Sequence, residues 1–287
     1  MTYSAKKNIT RIIAAAAGVA MLVLGAGCGG SSNSSAKSGD ITQQTITPGT
    51  LTIATGQPAY TPWVMDNKPE SGKGMEAAVG YAVAEKMGFK KSQVKWVRTT
   101  FDSAIAPGSQ KDWDMNIQQF GISKERAKAV DFTPSYFNAD QAVIVLKDGK
   151  FADSNSVSGL KDAAIGAMVG TTSYDFATSK IKKDVKTYND NATLAQALDS
   201  NQIDAIVVDT PTAVNIVKSG QVKRGKVIGR IPGSEDPEGD GIVLPKNSKL
   251  TAAATKAINT LQKDGTLDKL KNEWLQEYLV NVPELSK

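Results

Sequence analysis

From Leu51 onward the chain alternates short apolar runs with amphipathic segments, and that alternation confines it to an α/β architecture. Leu51-Thr52-Ile53-Ala54-Thr55 reads as a first strand. In the loop that follows, GQPAYTPW, Pro58 and Pro62 bar regular structure. From Gly74, the residues Met75, Ala78, Val79, Ala82, Val83 and Met87 recur at helical spacing, and Gly88 sits where a helix C-cap belongs. Residues 94–97 and 114–117 are expected as further strands. A second series opens with a strand over 163–169 that runs through the turn GTTSYDFA into a helix. A strand over 185–188 precedes a helix over 191–198, capped by Asp190 or Asn191. Residues 203–208 are apolar apart from Asp204 and end in Asp209, which suits a buried parallel strand. Another strand is expected over 226–231. GSEDPEGDG is polar and turn-rich, and two helices, 250–263 and 267–279, are separated by Gly265.

Ahead of this body lies the apolar run Ile12 to Leu24, preceded by Lys6, Lys7 and Arg11 and by no acidic residue, the pattern of an export signal. It is shorter than the roughly 20 residues that a membrane-spanning helix needs. Small residues fill the three positions before Cys28, the only cysteine of the chain. A lone cysteine forms no internal disulfide, and no core surrounds this one. The junction LGAGC resembles the lipobox of bacterial lipoproteins, although Gly25 stands where Leu is usual. Residues 1–27 are therefore expected as a lipoprotein signal peptide, Cys28 as the lipidated residue, and 28–49, rich in Ser, Gly and Thr, as a flexible tether. Plain secretion is the alternative. Without residues 1–27 the formal charge falls from +5 to +2, which gives little reason to expect nucleic acid. About 240 residues remain, enough for one large or two small domains. None of their apolar runs is long enough to span a bilayer.

Histidine is absent. With the single cysteine assigned to anchoring, Ser-His-Asp and Cys-His nucleophile systems and His/Cys metal sites fall away. No calcium-loop pattern and no Gly-rich phosphate cradle is present. These absences point to binding rather than chemistry, with neither metal nor cofactor expected.

Six segments in order, LTIATGQPAYTPW, GMEAAVGYAVAEKMGF, ISKERAKAVDFTPSYF, VGTTSYDFA, DAIVVDTPTA and GIVLPKNSKL with GTLDKLKNEWL, resemble bacterial extracellular solute-binding proteins of the polar amino-acid type, receptors of ABC importers. The stretch APGSQKDWD resembles an actinobacterial branch of that family. The resemblance covers residues 51–275. It implies the two-lobed periplasmic-binding-protein fold of type II, α/β, whose lobes close over a ligand and are joined by two hinge-crossing strands. Those crossings are expected near residues 136–140 and 233–237. Lobe 1 would comprise 50–137 and 238–287, and lobe 2 residues 138–237. A monomer is expected, delivering an amino acid to a membrane permease from a lipid anchor outside the cytoplasm.

A zwitterion needs a cation and N–H donors for its carboxylate, an anion for its ammonium, and apolar walls. Arg126 offers the planar fork that suits a carboxylate. It lies early in the expected short helix SKERAKAV, whose free N–H groups also favour anions. The plain alternative is a solvated charge pairing with Glu125 or Asp131, and the resemblance favours the carboxylate role. Asp209, at the end of its strand, is where α/β sheets place ligand sites, and a carboxylate there needs a cation. It is equally suited to cap the helix near Pro211, and the resemblance favours the ligand's ammonium. Thr171 and Thr172 would complete the carboxylate cage or simply cap a helix, and both can hold together. Gly121 stands where the family more often has Ser or Thr, so only its N–H can donate. Gln118 and Gln119 beside it are expected in the pocket. Tyr60, Phe101 and Trp63 occupy positions where aromatic rings flank the ligand, although core packing explains Trp63 equally well. Gln57 and Met168 stand where basic-amino-acid and glutamine binders, respectively, carry a charge. An uncharged or polar side chain is therefore favoured, with Glu76, Arg98 and Arg230 as charges that could still reach in. Two rivals share the fold: an enzyme resembling cyclohexadienyl or arogenate dehydratases, with Glu76 as general acid, and a sensory ligand-binding module.

Overall fold

The computed structural model describes residues 39–286. The expected signal segment and the lipidation position Cys28 lie outside the described residues. Among those described, no helix is long and apolar enough to cross a membrane.

Two five-stranded sheets organise the body. In chain order the elements are β1 (Leu51–Gly56), α1 (Met75–Lys86), β2 (Val94–Thr99), α2 (Phe101–Ile105), β3 (Met115–Asn116), β4 (Val130–Phe137) and β5 (Gln141–Leu146). They continue with β6 (Ile165–Met168), α3 (Thr172–Phe176), β7 (Val185–Tyr188), α4 (Asn191–Asp199), β8 (Ala205–Asp209) and α5 (Thr210–Lys218). The last are β9 (Gly225–Arg230), β10 (Asp240–Pro245), α6 (Thr251–Lys263) and α7 (Thr266–Leu279).

The first sheet runs β2-β1-β3-β10-β4, with β1 parallel to β2 and β3, and β10 antiparallel to both its neighbours. The second runs β7-β6-β8-β5-β9, with β6 parallel to β7 and β8, and β5 antiparallel to β8 and β9. Strand β8 was expected to be purely parallel. It has one parallel and one antiparallel neighbour, because β5 enters the sheet beside it in the opposite direction. Burial on both faces, which the apolar run does encode, is the same in either case.

Each sheet is covered on both sides. On the first, Ile53, Val79, Val83, Ile242, Ile258 and Leu275 join α1, α6 and α7 to one face, while Ala54, Phe101, Trp113, Phe120 and Val243 fill the other. On the second, Leu194, Leu198, Ala213 and Ile216 bring α4 and α5 against one face, and Val143, Ile165, Val207 and Leu160 line the opposite core. The expected helix SKERAKAV is only a single 3-10 turn, Arg126–Lys128, because the chain enters β4 at Val130.

The chain passes from the first sheet to the second between β4 and β5, over residues 138–140, and returns between β9 and β10, over 231–239. A further passage follows α7. Residues 238–287 were expected to stay with the first lobe, yet Leu285 is buried in the second sheet's core and Glu284 bridges to Arg230. Gly229 makes room for it, since a Cβ there would lie 2.9 Å from Leu285 Cγ.

The tether was expected to reach residue 49, but residues 40–49 are fastened to the body. Asp40 caps a 3-10 turn, Ile41–Gln43, accepting from Thr42 N at 3.0 Å, and Ile41 packs on the first core. The main fastener is Asp114, 3% exposed, whose two oxygens accept from Ile46 N at 2.8 Å and Thr52 N at 2.7 Å. Composition alone hid this, because the partner lies more than sixty residues away. Asp114→Ala would leave both donors without their acceptor. It is expected to lower unfolding free energy by about 1–3 kcal/mol in urea titrations, and an unchanged midpoint would contradict the role.

Candidate ligand-binding site

The loops after the carboxyl ends of β1, β2, β3, β6 and β8 converge on a cavity of about 430 Å³ between the sheets, as expected where parallel strands end. Gln57, Tyr60, Phe101, Gln118 and Gln119 line it from the first sheet. Met168, Thr171, Thr172 and Asp209 do so from the second, Asn138 and Asp236 from the passages between them, and Asp240 from the start of β10. Thr55, 1% exposed, also lines the cavity and leaves its Oγ1 without a partner.

Asp209 combines two functions that the sequence left as alternatives. It caps α5, its Oδ1 accepting from Thr212 N at 2.9 Å, while it also faces the cavity. Burial pushes its carboxyl up to about 6 against the pull of Thr212. Thr212 Oγ1 in turn accepts from Trp63 Nε1 at 3.0 Å, a bond between the lobes. Trp63 itself is a core residue, 1% exposed and edge-on to Phe137, and does not line the cavity. Thr171 caps α3, accepting from Tyr174 N and donating to Met168 O at 2.7 Å, so its hydroxyl is already engaged. Thr172 lies beside Asp236 and pulls that carboxyl back down against the effect of its burial.

Arg126 and Gly121 stand at the cavity's edge rather than in its lining. The guanidinium donates to Gly121 O and to Gly170 O, each at 2.6 Å, and lies over the Phe101 ring at 5.5 Å. It therefore spans from a first-sheet loop to a second-sheet loop. The alternative pairing with Glu125 or Asp131 does not form, since Lys128 takes Glu125 and Lys246 takes Asp131. Burial lowers the Arg126 pKa, and Asp236, Asp175 and Asp240 oppose that shift. At Gly121 a Cβ would lie 2.4 Å from Asp236 Oδ2 and 2.7 Å from Thr172 Cγ2. The space of a Ser or Thr side chain is thus filled by Asp236 and Thr172.

Arg98 and Arg230 stay out of the lining. Arg98 donates to the carbonyls of Gly56 and Asn67, and Arg230 pairs with Asp140 and Glu284. Glu76 does reach the cavity, at 0% residue exposure, but its oxygens already accept from Gln119 N, Gln119 Nε2 and the Tyr136 hydroxyl. Those bonds hold Gln119 in the left-handed region, at φ +47°, a conformation that costs a non-glycine residue energy.

The acidity of the cavity was not legible in the sequence. Glu76, Asp102, Asp190, Asp209, Asp236 and Asp240 all line it, and no lysine or arginine does among the described residues. Asp240 is pushed well above the usual carboxylate range by burial and then by Asp236, Asp209 and Glu76. Asp236 is raised as well, chiefly by burial. Among the described residues no three such groups are arranged to hold a metal ion. Asp236 and Asp240 come from the segment that reads in the sequence only as a polar turn, and nothing local marked them.

Burial raises the Glu76 carboxyl from 4.5 to about 7, against its three hydrogen bonds. A raised carboxyl stabilises the fold fully below its unfolded pKa, and that contribution is lost as pH rises through the folded value. Relative to wild type, Glu76→Gln is therefore expected to gain about 3 kcal/mol of unfolding free energy between about pH 4.5 and about pH 8. Urea unfolding at the two pH values reads the change, and a pH-independent difference would refute the assignment.

Comparison with known proteins agrees with this fold. The family model for bacterial extracellular solute-binding proteins, family 3, matches residues 51–277. The L-cystine-binding protein TcyJ of Escherichia coli K12 is 30% identical over 231 residues, 79% of this chain and 82% of that protein. The arginine-binding periplasmic protein of Mannheimia haemolytica is 27% identical, covering 76% of this chain and 89% of that protein. Among solved structures, an ancestral arginine-binding protein bound to glutamine superposes with a TM-score of 0.65 at 31% identity, over 79% of this chain and 98% of its own. These relatives are binding proteins, not enzymes. With the family model spanning most of its length, the chain belongs to the bacterial extracellular solute-binding proteins of family 3.

Proposed function

We propose that the protein is the receptor of an ABC importer, capturing one amino acid in the cavity between lobes that close over it. Asp209 receives the ammonium. The carboxylate takes Arg126 and the N–H groups of Gly121, Thr171 and Thr172, with Tyr60 and Phe101 as apolar walls. Contacts on both lobes give a ligand the differential affinity that shifts an open–closed equilibrium. Anchoring through Cys28, outside the cytoplasm, would keep a monomeric receptor beside its permease.

The observation that carries the ligand reading is the cavity's excess of carboxylates. It replaces the uncharged side chain expected from Gln57 and Met168 with a ligand of net positive charge. Buried carboxylates that raise one another's pKa are relieved by a cation. A relative named for arginine accords with that preference, whereas cystine, the ligand named for another, balances two ammonium groups with two carboxylates.

A thermal-shift screen against the twenty amino acids, cystine and citrulline tests the proposal. A ligand at 100 times its dissociation constant stabilises by about 2.7 kcal/mol. Arginine is expected to shift the melting temperature more than its uncharged near-isostere citrulline. Equal shifts would remove the charge preference, and no shift with any of them would remove the receptor reading. Arg126→Ala is expected to weaken binding at least about tenfold, the scale of losing a charged bidentate contact. The loss should be much smaller for the amide of the same amino acid. If acid and amide lose equally, Arg126 serves only as a bridge between lobes.

A further inference from the structure

Arg230, a charge that could have reached the ligand, instead occupies the junction where the passages between the sheets meet. It ends β9 and opens the return passage, 231–239. Its guanidinium pairs with Asp140, the last residue of the outgoing passage, and with Glu284 of the terminal strap. The backbone repeats the linkage, Arg230 N donating to Pro283 O and Arg230 O accepting from Leu285 N, both at 2.8 Å. The strap is locked further along, where Ser286 N donates to Asn155 O and Val157 N to Ser286 O. Leu285, 2% exposed, plugs the second core.

Asp140 extends this hub toward the cavity. Its Oδ1 accepts from Gly233 N at 3.1 Å and Ser234 N at 3.4 Å, fixing the start of the segment that carries Asp236 and leads to Asp240 of β10. Its carbonyl accepts from Thr210 N at 3.0 Å and Thr210 Oγ1 at 2.8 Å, one residue beyond Asp209. A further lobe-to-lobe contact pairs Lys218 of α5 with Glu277 of α7 at 2.8 Å.

We propose that Arg230 is a positioning residue for ligand capture and that the strap at 283–286 is a third tether between the lobes, biasing them toward the closed arrangement. The proposal rests on the receptor reading above. Arg126 and Trp63 bond across the cleft in this arrangement, which the proposal takes as the closed one. Strap contacts made in it stabilise it over any arrangement that breaks them. Arg230 achieves this through Asp140 and Glu284 without touching the cavity.

The test uses the full chain with Glu284→Lys, which sets a cation against Arg230, Glu284→Asp, which keeps the pair, and Leu285→Ala, which loosens the plug. Two quantities are read, the ligand-free radius of gyration by small-angle scattering and the dissociation rate of arginine by stopped flow. Glu284→Lys and Leu285→Ala are expected to enlarge the ligand-free radius and to speed dissociation about two- to fivefold, the scale of a partly exposed ion pair. Glu284→Asp is expected to behave as wild type. A lowered unfolding midpoint with both quantities unchanged would overturn the proposal, leaving the strap merely structural. So would a Glu284→Asp variant as altered as Glu284→Lys. If arginine does not bind the wild type, the ligand reading fails and the ligand-free radius alone decides the strap.

Discussion

A buried carboxylate must find donors, and Asp140 meets that demand at the point where the two sheets are joined. Left unpaired, it would cost several kcal/mol. Its donors are a guanidinium and two backbone N–H groups, drawn from β9 and from the returning passage. The desolvation problem of one side chain thereby fixes the path of the second passage. The same residue's carbonyl holds the first turn of α5. The segments carrying Asp209 and Asp236 thus share one anchor, while Asp240 is placed by the pairing of β10 with β4.

The sequence revealed repeating, local features. Strand and helix periodicity located β1, α1, β7 and α4 to within a few residues, because each buries a regular face. A cap at Asp190 or Asn191 was readable for the same reason, and it is Asp190, whose Oδ1 accepts from Thr193 N at 2.7 Å within the same turn. Contacts made at long range were not readable. Strand direction at β8 depends on β5, more than sixty residues earlier. The fastening of residues 40–49 depends on Asp114, and the destination of the terminal strap depends on a hole over Gly229. The short helix around Arg126 was over-read, since three residues of turn are all that fit before β4 begins.

Gly121 shows how a departure from a pattern can be misread when seen alone. In the sequence it looked like the loss of one hydrogen-bonding hydroxyl. In the fold the vacated volume holds a carboxylate from the returning passage and the methyl group of Thr172. A carboxylate, an acceptor, thus stands next to Arg126 where a hydroxyl could have donated. Reading charge only at Gln57 and Met168 missed this, because the compensating residue lies more than a hundred positions away.

The strap also bears on how the molecule can be handled. Because Ser286 is hydrogen-bonded to Asn155 and Val157, anything joined directly after it begins its path against the second lobe, beside the passages between the sheets. A purification handle placed there would crowd the junction that sets lobe geometry. A fluorophore on a short linker at the same place would sit where any relative rotation of the lobes changes its surroundings. The site least suited to an inert tag is, for that reason, well suited to an optical reporter of domain movement.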